Sequence, residues 1–171
     1  MDIGLLLLRV AIGLTLAAHG AQKLFGWFGG FGLERTGQMM TVLGFQPGAR
    51  HAFRAGAVEF GAGLLLAIGL LTPVAAMFVA SVMLVAAVSA HLKRGFFMSN
   101  GGYEYSFVLG VAGLVPAFTG PGAISADAAL VIATQGVEWG AAAAFVALVG
   151  AAVQLSQRRP AAPAQTVEAA A

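Results

Sequence analysis

The chain has no cysteine among its 171 residues, and only 9% of its side chains are charged. Without a thiol it forms no disulfide, runs no dithiol cycle and offers no thiolate to a metal, so any redox chemistry must belong to a bound cofactor or a partner. The scarcity of charge, against about 25% in a soluble globular domain, excludes water as the main solvent of its surface. Basic residues exceed acidic ones by only +2, too few to point to nucleic acid as a partner. No HExxH or ExxH spacing is present, so one helix does not supply the ligand pair of a zinc or iron site, and no metal centre is expected.

Apolar residues make up 59% of the chain, with a mean hydropathy of +0.87. They gather in five stretches, Ile3–Leu24, Ala52–Leu71, Pro73–Leu92, Tyr103–Phe118 and Val137–Leu155. Crossing about 30 Å of hydrocarbon takes on the order of 20 apolar residues as a helix, because lipid cannot pair an open backbone amide. The fourth stretch is short and holds Pro116, which makes it the weakest crossing. The pattern predicts an all-α membrane protein: an antiparallel four-helix transmembrane bundle plus a fifth, C-terminal transmembrane helix. One domain over residues 1–155 precedes a disordered cytoplasmic tail over 156–171, where PAAPAQ and small residues prevail.

The first stretch does not read as a secretory signal, since Met1-Asp2 gives no basic start and Arg9 interrupts the apolar run. With five spans, Lys23, Arg35, Arg50, Arg54, Lys93, Arg94, Arg158 and Arg159 fall on one side and only Arg9 lies nearer the other. Basic residues concentrate on the cytoplasmic side, which predicts an outside N-terminus and a cytoplasmic C-terminus. Leu71-Thr72-Pro73 predicts a tight hairpin with Thr72 as N-cap and proline at the first helical position. The connection Phe25–Arg50 mixes aromatic and methionine side chains with glycines and charges, and is expected to lie in the headgroup layer around a short amphipathic helix. Gly95-Phe96-Phe97-Met98 is a shorter element of the same kind. Gly13, Ala17 and Ala21, and in the second stretch Ala52, Gly56 and Gly63, form small-residue faces that let helices approach closely in lipid. Glu59 shares the second of these faces.

At about 1.5 Å per residue, five ionisable groups from four helices converge on one level at the cytoplasmic end: His19, Lys23, Glu59, His91 and Glu104. Charge in a bilayer must be paired or hydrated, so Glu59 is expected to accept from His19, Lys23 or both. Two readings compete. The cluster ties helices together, or it lines a polar pocket for a quinone headgroup, a haem or a proton path, with a histidine able to change charge near neutral pH. Haem ligation by His19 and His91 is disfavoured, because charged groups flank both imidazoles. Arg9 is expected to pair with Asp127 as a structural ion pair. Glu138 and Trp139 fit a helix start and an interfacial anchor, while His51 and Arg54 read as ordinary interfacial residues.

The strings LLLLRVAIGLTLAAHGAQKLFGWFGGFG, EFGAGLLLAIGLLTPVAA, AHLKRGFFMSNGGYEYSF and GPGAISAD, in that order over residues 5–127, resemble the DoxX family of small bacterial membrane proteins. The family's polar positions would correspond to Arg9, His19, Lys23, Glu59, His91, Asn100, Glu104 and Asp127. Gly61-Ala62-Gly63 departs mildly from the consecutive glycines common there. The resemblance implies a multi-pass helical bundle in the bacterial plasma membrane and a loose link to redox and thiol-stress pathways, through similarity to a membrane subunit of thiosulfate:quinone oxidoreductase. A fold does not carry a mechanism. The leading expectation is a redox-associated membrane subunit, quinone- or sulfur-linked, that docks a quinone or a redox partner protein and can self-associate as a homo-oligomer. A small transporter or proton-coupled channel is the rival, although Thr15 and Ser81 are nearly the only polar side chains between the two charged levels. A membrane adaptor using the aromatic loop is a third expectation. Both a quinone-interacting and a non-catalytic subunit of an oxidoreductase complex fit these expectations.

Overall fold

A computed structural model describes residues 2–159, and these are helical with no named strand. The helices are α1 (Asp2–Phe25), α2 (Gly32–Val42), α3 (Gly48–Ile68), α4 (Thr72–Ala86), α5 (Glu104–Thr119), α6 (Ala126–Ala129) and α7 (Val137–Ser156). Helix α4 runs on through a π turn, Ala87–His91, and a 3-10 turn to Arg94. Four of these are long and apolar enough to cross a membrane: α1 with 24 residues, α3 with 21, Thr72–Arg94 with 23 and α7 with 20. Helix α5 is apolar but has only 16 residues, in keeping with the weakness expected of the fourth stretch. The helix expected at the C-terminal stretch, α7, is thus among the four.

The amphipathic element expected in the 25–50 connection is α2, reached through a 3-10 turn at Trp27–Gly29. Trp27, Phe28 and Phe31 are exposed there. Exposed apolar side chains also cover α7, with Phe145, Leu148 and Val153 facing outward, as lipid contact requires. Of the tail expected over 156–171, residues 160–171 lie outside the described residues. Arg159 donates its backbone N–H to the Gly44 carbonyl at 2.7 Å, and Arg158 Nε donates to the Leu43 carbonyl at 2.9 Å.

The small-residue faces meet as their spacing predicts. Gly13 lies against Gly63 and Ala67, and Gly20 lies against Gly56 and Phe60, so the α1 and α3 backbones nearly touch. A Cβ on Gly63 would stand 2.5 Å from the Gly13 carbonyl oxygen and 2.6 Å from Ala17 N. Both obstacles are backbone and cannot rotate away. Gly63→Ala is therefore expected to cost about 3 kcal/mol, the upper end for overpacking. Thermal unfolding in detergent checks this, with Gly61→Ala as the neutral control because nothing lies within 4 Å of its built Cβ. Next to this seam, Leu16, Leu66, Ala75, Val79, Met83 and Leu109 form a wholly apolar core.

Candidate functional site

Lys23, in the last turn of α1, and Glu59, in the middle of α3, form the one ion pair within 4 Å among the described residues. The Glu59 side chain is 4% exposed and that of Lys23 26%, so the carboxylate is sunk between the helices while the ammonium reaches it from the rim. The close approach at Gly20 and Gly56 is what brings these two side chains together. One turn before Lys23, His19 Nε2 lies 2.9 Å from the Tyr105 hydroxyl of α5, and its Nδ1 lies 3.1 Å from Gln22 Oε1. His19 thus links α1 to α5, and Lys23 links α1 to α3. A small, partly open cavity of about 190 Å3 borders Gln22 and Lys23 on one side and Gly30, Phe31, Thr36 and Met39 on the other.

His91 and Glu104 do not join this pair. His91 Nδ1 is 2.8 Å from the Gly101 carbonyl, and the Glu104 carboxylate accepts the Met98 N–H at 2.8 Å. The physical reason is local. The 95–104 connection turns sharply through two positive-φ glycines, Gly95 and Gly101, and leaves backbone groups that need partners. Glu104 at the start of α5 and His91 at the end of the π turn supply them. Glu59 accepts from Lys23, and His19 takes Tyr105 instead. Among the described residues no group of three or more His, Asp or Glu side chains is placed to hold a metal ion.

Arg9 and Asp127 come to the same end of the molecule, but the direct ion pair expected of them is not formed. Asp127 is fully buried, and its carboxylate accepts three bonds: from Leu71 N at 2.7 Å, Thr72 N at 2.9 Å and the Thr72 hydroxyl at 2.7 Å. Thr72 therefore does not cap its own helix as its sequence position suggests; its side chain donates to Asp127, which caps α4 from afar. The N-cap position falls on Leu71, held in the left-handed region at φ 49°. Arg9 is also fully buried, donates Nη2 to the Ile124 carbonyl, and packs its guanidinium on Gly69. Its Nε and Nη1 have no protein partner among the described residues.

Sequence reasoning missed Tyr105 and Gln22, and gave Thr72 a cap of its own helix rather than its bond to Asp127. It also treated His51 as an ordinary interfacial residue, yet His51 is buried, lies 2.8 Å by Nδ1 from the Gln154 amide of α7 and stacks on Phe45 at 5.3 Å between centroids. The one available signal was Gln154 itself, a polar side chain directly after the run of α7 that is apolar from Trp139 to Val153.

A helical chain with four membrane-length apolar helices and an ion pair sunk between two of them defines a multi-pass membrane protein. The chain belongs to the DoxX family, whose model it matches over residues 4–92. It is similar to the Bacillus subtilis (strain 168) protein named "Putative oxidoreductase CatD", at 31% identity over 108 residues, covering 63% of this chain and 74% of that protein. No solved structure is a significant match.

Proposed function

We propose that this chain is a redox-associated subunit of the bacterial plasma membrane, in which Lys23, Glu59 and His19 receive a quinone headgroup and a partner protein supplies the electrons. The observation that carries the reading is the buried Lys23–Glu59 pair with the His19–Tyr105 contact one turn away. Ionisable groups inside a membrane bundle are costly and mark sites of ligand or proton traffic. Glu59 occupies one of the three N–H donors of the Lys23 ammonium, which leaves donors for a quinone carbonyl, and the small cavity beside Lys23 offers an approach. The headgroup would supply the electron acceptor. The chain would orient it, with Lys23 held in place by Glu59 and the His19–Tyr105 contact one turn away. The oxidoreductase name of the similar protein supports the same class. In this proposal the helices cross alternately, with α5 as a short fifth crossing, the N-terminus outside and Lys23, Arg50 and Arg54 at the cytoplasmic face.

A continuous polar path toward Arg9 gains no support, because the core between the two levels is apolar. An adaptor role draws on the exposed Trp27, Phe28 and Phe31. Mass spectrometry of small molecules released from protein purified out of quinone-replete membranes separates these readings. The expected result is a quinone retained by the wild type and lost, by tenfold or more, in a folded Glu59→Gln variant. Wild type that carries no quinone would overturn the proposal and favour the adaptor.

A further inference from the structure

Two cavities meet at His51 and Arg54, away from the Lys23–Glu59 pair. The first, about 450 Å3, is polar and lined by Arg50, Arg54 and Arg159 together with Gln46, Ser156 and Gln157. The second, about 230 Å3, is an open crevice among α3, α4 and α7, walled by Ala55, Val58, Phe78, Val82, Val85 and Gly150. Their junction is built rather than incidental. His51 is fixed by Gln154 and Phe45, and the Arg158 guanidinium lies over the Phe45 ring, 5.7 Å from its centroid. The chain after α7 is clasped to the 43–45 backbone through Arg158 and Arg159, which sets the Arg159 side chain at the rim of the polar cavity.

The charge of the junction is one-sided. None of the three arginines has an acidic partner within 4 Å among the described residues, and no Asp or Glu lines either cavity. We propose that the two cavities together bind one anionic glycerophospholipid, its phosphate against Arg50, Arg54 and Arg159 and an acyl chain in the apolar crevice. Guanidinium groups bind phosphate oxygens in bidentate fashion, and basic pockets between membrane helices at one face are suited to anionic lipid headgroups. The absence of a carboxylate disfavours a zwitterionic lipid, whose ammonium would find no partner in the cleft. The apolar crevice disfavours a free phosphate, which would leave it unfilled. This site lies apart from the quinone proposal and stands or falls independently of it.

Native mass spectrometry of the full chain, titrated with phosphatidylglycerol or phosphatidylcholine in mild detergent, tests the assignment. One phosphatidylglycerol per chain should be retained and phosphatidylcholine should not. Each of Arg50→Gln, Arg54→Gln and Arg159→Gln should weaken retention about fivefold, the fold-change equivalent to about 1 kcal/mol per basic side chain at an anionic surface, and the triple variant about a hundredfold. Ala55→Phe, which fills the crevice and keeps all three arginines, should also weaken it, and this variant carries the test if the triple variant does not fold. Equal retention of the two lipids would overturn the proposal. So would equal losses in an Arg35→Gln, Lys93→Gln, Arg94→Gln control, which would mean a diffuse basic ring, or displacement of the lipid by glycerol phosphate, which would mean an ion site without the crevice.

Discussion

Lys23→Met is expected to lower the unfolding free energy by roughly 3–5 kcal/mol, the cost of leaving a buried charge without its partner. Glu59 keeps its place between α1 and α3 in that variant, with its side chain 4% exposed and no other cation bonded to it among the described residues. The double variant Lys23→Met, Glu59→Met should regain most of the loss, because replacing both members of a buried pair with apolar groups of similar volume is often neutral or stabilising. Unfolding in detergent, followed by circular dichroism, measures all three. A Lys23→Met protein as stable as the wild type would mean that the carboxylate is hydrated from the rim. The double variant also gives the quinone proposal a folded protein without the charged site, so a retained quinone there would count against it.

Asp127→Ala should be comparably severe, at roughly 3–5 kcal/mol, since it removes three hydrogen bonds at one fully buried carboxylate. The loss falls on the α3–α4 turn, where Leu71 sits at φ 49° at a cost of about 1–2 kcal/mol for a residue with a Cβ. Leu71→Gly should therefore raise stability in the wild type, where the turn is held at φ 49°, by more than it does in the Asp127→Ala background, where Leu71 is free to relax. Thermal unfolding of the four proteins closes the cycle. Additive effects of the two substitutions would show that Asp127 does not hold the turn.

The helices were legible because lipid imposes length and apolarity on whole segments, and α1, α3, α4 and α7 carry both. The Lys23–Glu59 contact was legible in part: Glu59 shares a small-residue face and lies near the depth of the α1 end, which left His19, Lys23 or both as its partner, and the structure forms the pair with Lys23. His19 and Tyr105 were not, because the small residues of α5, Gly110, Gly113 and Ala117, face Met83, Val79 and Ala76 of α4 and say nothing of the Tyr105 side. Depth alone placed His91 and Glu104 with Glu59, but depth says nothing about the backbone groups of the 95–104 connection, and these took both side chains. The Arg9–Asp127 expectation failed in the same way. The right residues reached the right end, and the open N–H groups at Leu71 and Thr72 held the carboxylate more closely than a cation did.

Asp127 completes a turn that lies 55 and 56 residues before it in the chain. At a synthesis rate of about 5–20 residues per second, roughly 3–11 s pass between the emergence of the turn and the arrival of its cap. During that interval the α3–α4 hairpin carries a strained Leu71 and two backbone donors without their final acceptor. A chain truncated between α5 and α6 should hold that hairpin only loosely, so that its inserted form becomes resistant to a protease at the turn only once residue 127 has been made. On that outcome a late loop would certify an early hairpin, and assembly would be checked from behind.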